Sequence, residues 1–161
     1  MGWEGPRAWG TRPWLSRRRG ISGDLHREAV KETDERQLDA LVAEAREDPD
    51  VLAVVRFGST ARGLSGRDVD VCVVLHEKPR GEPFDVHLRY SAHASGKRHE
   101  GLDVSVFQSL PLYVRERVIA EGVPLLVKDR EAFFALVRRT YQEWETFRPH
   151  LDLYLDEVVH G

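Results

Sequence analysis

Apolar residues change their period several times along this chain, and each change marks an element. Leu38, Leu41, Val42 and Ala45 fall at i, i+3, i+4 and i+7, one face of a helix expected over 34–47. Asp34 and Gln37 are spaced as a capping box at its start, and Asp48-Pro49-Asp50 ends it. Val51 to Phe57 is a nearly unbroken apolar run, the mark of a strand buried on both faces. It stops at Gly58-Ser59. A Gly- and Arg-rich connection follows, a turn with room for one helical turn, and Val69 to Leu75 reads as a second strand.

The tract from His76 to Gly101 carries the weakest pattern: a turn at Lys78 to Gly81, a short helix suggested by Phe84, Leu88 and Ala92, then a polar loop from Ser95. Leu102, Val104 and Val106 alternate with Asp103 and Ser105, which predicts a third strand over 102–107. Pro111 suits the first position of a helix running to Glu121, with Gly122 as its left-handed cap. Val123 to Val127 is a short fourth strand. Arg130 to Phe147 is a long helix with Phe133, Phe134, Val137, Tyr141 and Trp144 on one side, and Pro149 should break or kink it. Leu151, Tyr154, Leu155 and Val158 form a further apolar stripe. With Phe147, it either docks a second chain, its own copy or a partner, or folds back onto the sheet.

Composition narrows the class. The 161 residues suit one domain with some extra, and 41% hydrophobic with 32% charged residues is ordinary for a soluble protein. No apolar run approaches the roughly 20 residues that span a bilayer, so no membrane role is expected. The single cysteine, Cys72, lies inside an apolar strand, which fits a buried thiol in a reducing cytoplasm. A net charge of −3 does not favour nucleic acid as a partner. Residues 1–20 differ from the rest, with five Arg, one Glu, three of the four Trp and no regular period. The expected organisation is a disordered basic extension over 1–23, a catalytic domain over 24–128 and a helical segment over 129–161.

The candidate chemistry sits between the first two strands. Asp68 and Asp70, two residues apart on a strand, point to the same side, about 6.7 Å apart along the chain, and can converge on a cation. If the third strand pairs beside the second, Asp103 completes a carboxylate triad. Oxygen ligands of this kind suit Mg²⁺, and two such ions can activate an attacking oxygen and stabilise a leaving pyrophosphate. Gly58 lets the backbone approach a phosphate, the Ser59 hydroxyl can donate to it, and Arg62 and Arg67 can neutralise its charge. No Walker loop is present. Alone, a DxD at a strand start is often just a turn, and Asp103 could be an ordinary surface residue; the ordered combination is what carries the signal. The histidines show no metal-ligand spacing, and no serine, cysteine and histidine grouping suggests a hydrolase.

Gly58-Ser59 through Asp68-Val69-Asp70, with Asp103, resembles the polymerase-β-type nucleotidyltransferase superfamily. The small size and the run GSTARG at 58–63 resemble its minimal nucleotidyltransferase branch, whose members serve as antitoxins to HEPN-domain toxins. The resemblance covers about residues 34–128. It implies an α+β fold, a small mixed sheet flanked by helices with a long C-terminal helical segment, and a Mg²⁺-dependent transfer of AMP from ATP to a hydroxyl such as a tyrosine of a HEPN toxin. By position, Ser59 would bind the triphosphate, Asp68 and Asp70 the metal, and Asp103 would assist the metal or act as base. Eight residues separate Ser59 from Asp68, fewer than in many members. Two alternatives stand beside this one: an antitoxin that only docks, and a transferase acting on a small molecule of antibiotic type. A homo-oligomer is also compatible.

Overall fold

The computed structural model describes residues 25–61, 69–94 and 101–160. The expected extension over 1–23 and the candidate residues Arg62, Arg67 and Asp68 lie outside them.

The elements follow in the order α1 (Leu25–Glu47), β1 (Val51–Phe57), α2 (Gly58–Ala61), β2 (Val69–Leu75), α3 (Pro83–Ser91), β3 (Leu102–Val106), α4 (Leu112–Glu121), β4 (Val123–Val127) and α5 (Arg130–His160). The four strands form one mixed sheet in the order β3-β2-β1-β4. β1 runs antiparallel to both β2 and β4, whereas β2 and β3 are parallel. A parallel pair needs a crossover, and α3 lies in that connection.

Strand alternation divides the core. Val71, Val73 and Leu75 of β2, with Leu102, Val104 and Val106 of β3, face α1 and α3 through Leu41, Ala45, Val86 and Tyr90. Cys72 and Val74 point the other way, with Leu52, Ala53 and Val55 of β1, onto Val118 and Ile119 of α4 and Phe133, Leu136 and Val137 of α5. Both faces of β1 and β2 are covered, which is why those strands read as continuous apolar runs. Each fully buried valine or leucine contributes about 1.5–3 kcal/mol relative to exposure. Burial also pushes the Cys72 thiol well above its usual range, so it behaves as a core hydrophobe.

Four details depart from the pattern-based expectations. First, α1 begins at Leu25, nine residues before Asp34, so Asp34 is an interior position of the helix and not its cap. Leu25 to Thr33 contains no Gly or Pro, so local propensity carries the helix upstream of its apolar face. Second, α3 exists, but Phe84 and Leu88 are 67% and 54% exposed, and the pair Val86 and Tyr90, 1% and 0% exposed, takes the core. The Tyr90 hydroxyl decides this by donating to the Asp48 carboxylate at 2.9 Å, which lets the whole ring be buried. Third, Gly122 has an ordinary φ of −71°. It is needed because a Cβ there would collide with the Val118 carbonyl and the Val55 side chain. Fourth, α5 runs through Pro149 to His160. Pro149 and Glu145, whose carbonyl loses its helical donor, are both exposed to water. The last third of α5 does not fold back on the sheet: Leu153, Tyr154 and Val158 are 69%, 63% and 62% exposed. No described helix is long and apolar enough to cross a membrane.

Candidate active site

The end of β1 and the starts of β2 and β3 meet at one end of the sheet. Phe57 pairs with Asp70, and Asp70 pairs in turn with Asp103. Asp70 shares its side of β2 with Cys72 and Val74, and Asp103 shares its side of β3 with Ser105, so both carboxylates belong to the sheet face that α4 and α5 cover further along. Adjacent strands lie about 4.8 Å apart. Two acids at matched positions on neighbouring strands repel one another unless a cation lies between them. The condition set by the sequence, that β3 lie beside β2, is therefore met for Asp70 and Asp103.

Gly58 closes the other side. Its φ of +76° is left-handed, and a Cβ there would collide with Oδ2 of Asp70. Only glycine allows the chain to turn from β1 into the single helical turn α2 while its backbone stays against that carboxylate. Ser59 follows directly in α2 and is partly exposed.

A cavity of about 200 Å³ opens beside these residues, lined by Phe57, Gly58, Asp70, Val114, Arg117 and Glu121. The last three come from one face of α4, at i, i+3 and i+7. Sequence reasoning missed Arg117, a cation in the cavity that holds Asp70. The signal was present as an apolar, basic and acidic residue on one helical face. Its meaning depended on knowing that α4 passes this end of the sheet. Burial raises the carboxyl pKa of the neighbouring Glu116, Glu121 raises it further, and Arg117 opposes them.

The donor set fits a hard divalent cation. Asp70 and Asp103 offer oxygen ligands on one face, next to a backbone cradle from which a side chain is excluded. Among the described residues no cluster of three or more ligating side chains forms. The third carboxylate expected from the sequence, Asp68, lies outside them, as do Arg62 and Arg67.

Comparison with solved structures returns the same architecture. A chain of a toxin–antitoxin structure with AMP-PNP superposes with a TM-score of 0.57 at 15% identity, covering 78% of this chain and 98% of that one. A chain from a mutant form of the toxin–antitoxin MntA-HpeT gives 0.61 at 14%, covering 78% and 97%. A chain of the tri-AMPylated Shewanella oneidensis HEPN toxin in complex with MNT antitoxin gives 0.56 at 12%, covering 81% and 98%. At these identities the likeness is one of fold. No curated protein matches the sequence significantly. The family described as "Polymerase beta, Nucleotidyltransferase" matches residues 40–131, more than half of the chain. That span contains all four strands, the Gly58-Ser59 turn and the three aspartates, and the chain belongs to the polymerase beta nucleotidyltransferase family.

Proposed function

We propose that this protein transfers AMP from ATP to a hydroxyl, a tyrosine in the first instance, of a HEPN-domain toxin, and so acts as its antitoxin. The observation that carries the proposal is the matched pairing of Asp70 with Asp103 beside the Gly58 turn. Membership of the family supports nucleotide transfer. The likeness to chains from toxin–antitoxin structures, one holding a tri-AMPylated HEPN toxin, supports the choice of acceptor.

In this reading Asp70 and Asp103, with Asp68, hold Mg²⁺, which supplies charge neutralisation at the triphosphate. The Ser59 hydroxyl donates to a phosphate oxygen, and the lack of a side chain at Gly58 lets the nucleotide lie close. Arg117, with Arg62 and Arg67, balances phosphate charge. β3 is an edge strand, so Asp103 is reachable from beyond the sheet by a folded acceptor. Asp103 takes the proton of the acceptor hydroxyl as its oxygen bonds to the α-phosphorus. The bond from the α-phosphorus to the bridging oxygen breaks, and pyrophosphate leaves with that electron pair.

The test is intact-mass spectrometry of a HEPN-domain protein from the same organism after incubation with this chain, ATP and Mg²⁺. Each transfer should add about 329 Da, an adenylyl group replacing a proton, and Asp68→Ala or Asp70→Ala should abolish it. Neutralisation of the partner without any mass change, and equally by the variants, would replace this reading with a docking antitoxin.

A further inference from the structure

β3 is an edge strand, and a second cavity, of about 360 Å³, lies along it. Phe84, His87, Ser105, Val106, Ser109 and Leu110 line it. Ser105 and Val106 point to opposite faces of the sheet. A hollow that touches both therefore lies beside the strand, not on either face. Phe84 and His87 close it from α3. Val86 and Tyr90 make the contacts of α3 with the core, so the exposed Phe84 belongs to this hollow instead. The remaining wall is fixed by hydrogen bonds. The Gln108 side-chain amide pairs with the backbone of Leu75, the last residue of β2, accepting from its N–H at 3.1 Å and donating to its carbonyl at 2.9 Å. Arg115 donates to the Leu110 and Gln108 carbonyls at 2.8 and 2.9 Å and lies over the Phe107 ring. The turn that carries Ser109 and Leu110 is thereby held from both sides. A pre-formed hollow of this size, with apolar walls and a few polar groups among them, has the character of a ligand site.

Its position selects the occupant. Ser105 stands two residues after Asp103 on the same side of β3, about 6.7 Å along the strand. A tyrosine spans a similar distance from its β-carbon to its hydroxyl, apolar along its body and polar at its tip. A ring seated against Phe84, Val106 and Leu110 can therefore carry its hydroxyl to Asp103, which is exposed. A serine or threonine hydroxyl sits directly on the β-carbon and has no ring to fill the hollow. We propose that this cavity seats the ring of the acceptor tyrosine in the reaction described above, on which this assignment rests, and so selects a phenolic acceptor over an aliphatic hydroxyl. The chemistry is that reaction unchanged. The phenolic oxygen bonds to the α-phosphorus, its proton passes to Asp103, and pyrophosphate leaves with the electron pair of the bond that breaks.

Binding is tested first, without ATP, by amide NMR of the full chain titrated with N-acetyltyrosinamide. The resonances of Ser105, Val106, Ser109 and Leu110 should move, and N-acetylserinamide should leave them in place. Ser109 and Phe84 are both exposed, so Ser109→Trp, which fills the hollow, and Phe84→Ala, which removes a wall, should fold as the wild type does. Each should weaken the response to the tyrosine probe. With a HEPN-domain protein as acceptor, Ser109→Trp should raise the acceptor KM roughly tenfold or more with little change in kcat. Stabilisation by Mg²⁺ and ATP should be retained. No shift with the tyrosine probe, equal shifts with the serine probe, or shifts that persist in Ser109→Trp would overturn the proposal. AMP transfer with an unchanged acceptor KM in Ser109→Trp would overturn it too, and leave the reaction standing. A wild-type chain that binds the tyrosine probe at these residues but transfers no AMP would remove the reaction and keep the cavity as a site for phenolic side chains.

Discussion

The chain spells Asp-x-Asp twice, as Asp48-Pro49-Asp50 just before β1 and as Asp68-Val69-Asp70 at the opening of β2. The described members of the two pairs sit at opposite ends of the sheet and meet opposite surroundings. Asp48 is buried and used by the chain itself. It accepts from the Tyr90 hydroxyl at 2.9 Å and the Asp50 backbone N–H at 3.0 Å, and Arg89 lies 2.8 Å away. Asp50 accepts from the backbone N–H groups of Arg80 and Gly81 at 2.9 and 3.0 Å. Lys128 completes that end by donating to the Asp48 carbonyl at 2.6 Å, a cation at the C-terminus of α1. At the other end Asp70 pairs with a second acid, Asp103, across a strand boundary and lines a cavity. Identical spacing thus marks a structural joint in one place and a candidate cation site in the other. What distinguishes them is the neighbourhood: backbone and side-chain donors close around the first pair, whereas Asp70 lines a cavity with another carboxylate alongside.

The sharpest way to break that contrast is to remove a charge at each end. Asp70→Asn or Asp103→Asn should cut AMP transfer by roughly 100-fold or more. Asp103→Asn should not lower the melting temperature, because it relieves a repulsion with Asp70. Gly58→Ala should act on the same end by pushing a methyl into the Asp70 carboxylate, with a comparable loss of transfer. If Asp70→Asn unfolds the chain, its acid belongs with the structural pair.

Asp48→Ala should do the reverse. It strands the buried Tyr90 hydroxyl and releases Arg89, which is half exposed and therefore worth less than a buried ion-pair partner. A loss of about 2–3 kcal/mol in urea denaturation is expected, with transfer per folded molecule retained. Adding Mg²⁺ and ATP supplies the complementary reading. At about 100 times the dissociation constant, ligand should stabilise the wild type by roughly 2.7 kcal/mol. Asp48→Ala should show the same increment and Asp103→Asn little of it.

These two ends also show what a sequence discloses. The four strands were legible because buried strands read as continuous or alternating apolar runs. β1, β2 and β4 have the expected bounds, and β3 stops one residue short, at Val106. The candidate site was legible where it depends on local order: Gly58, Ser59 and Asp70 lie on consecutive elements, and Asp103 needed only the β2–β3 pairing. Features that depend on a distant partner were hidden. Arg117 reaches the cavity because α4 crosses that end of the sheet. Val86 and Tyr90 won the core over Phe84 and Leu88 because an acid 42 positions away in sequence accepts the tyrosine hydroxyl. The course of α5 through Pro149 depended on an exposed carbonyl that water can satisfy.

The smallest effect concerns Asp50, and it tests the structural end alone. Hydrogen bonds from the Arg80 and Gly81 backbone lower its carboxyl pKa below the ordinary 3.8, with the Arg80 bond the larger influence and burial opposing it. A group whose folded pKa is depressed adds stability that is fully present above its unfolded pKa and is lost as pH falls through the folded value. Asp50→Asn keeps one carbonyl acceptor for these N–H groups but cannot ionise. The variant should therefore be less stable than the wild type at neutral pH, and the gap should close as the pH falls below about 3.8 and the wild-type carboxylate is protonated. Urea midpoints measured from pH 7 to pH 2.5 would show the closing gap directly. A gap that stays constant across that range would mean the Asp50 charge is not what holds the Arg80–Gly81 turn against the start of β1, and the structural role of this end would then rest on Asp48 and Lys128.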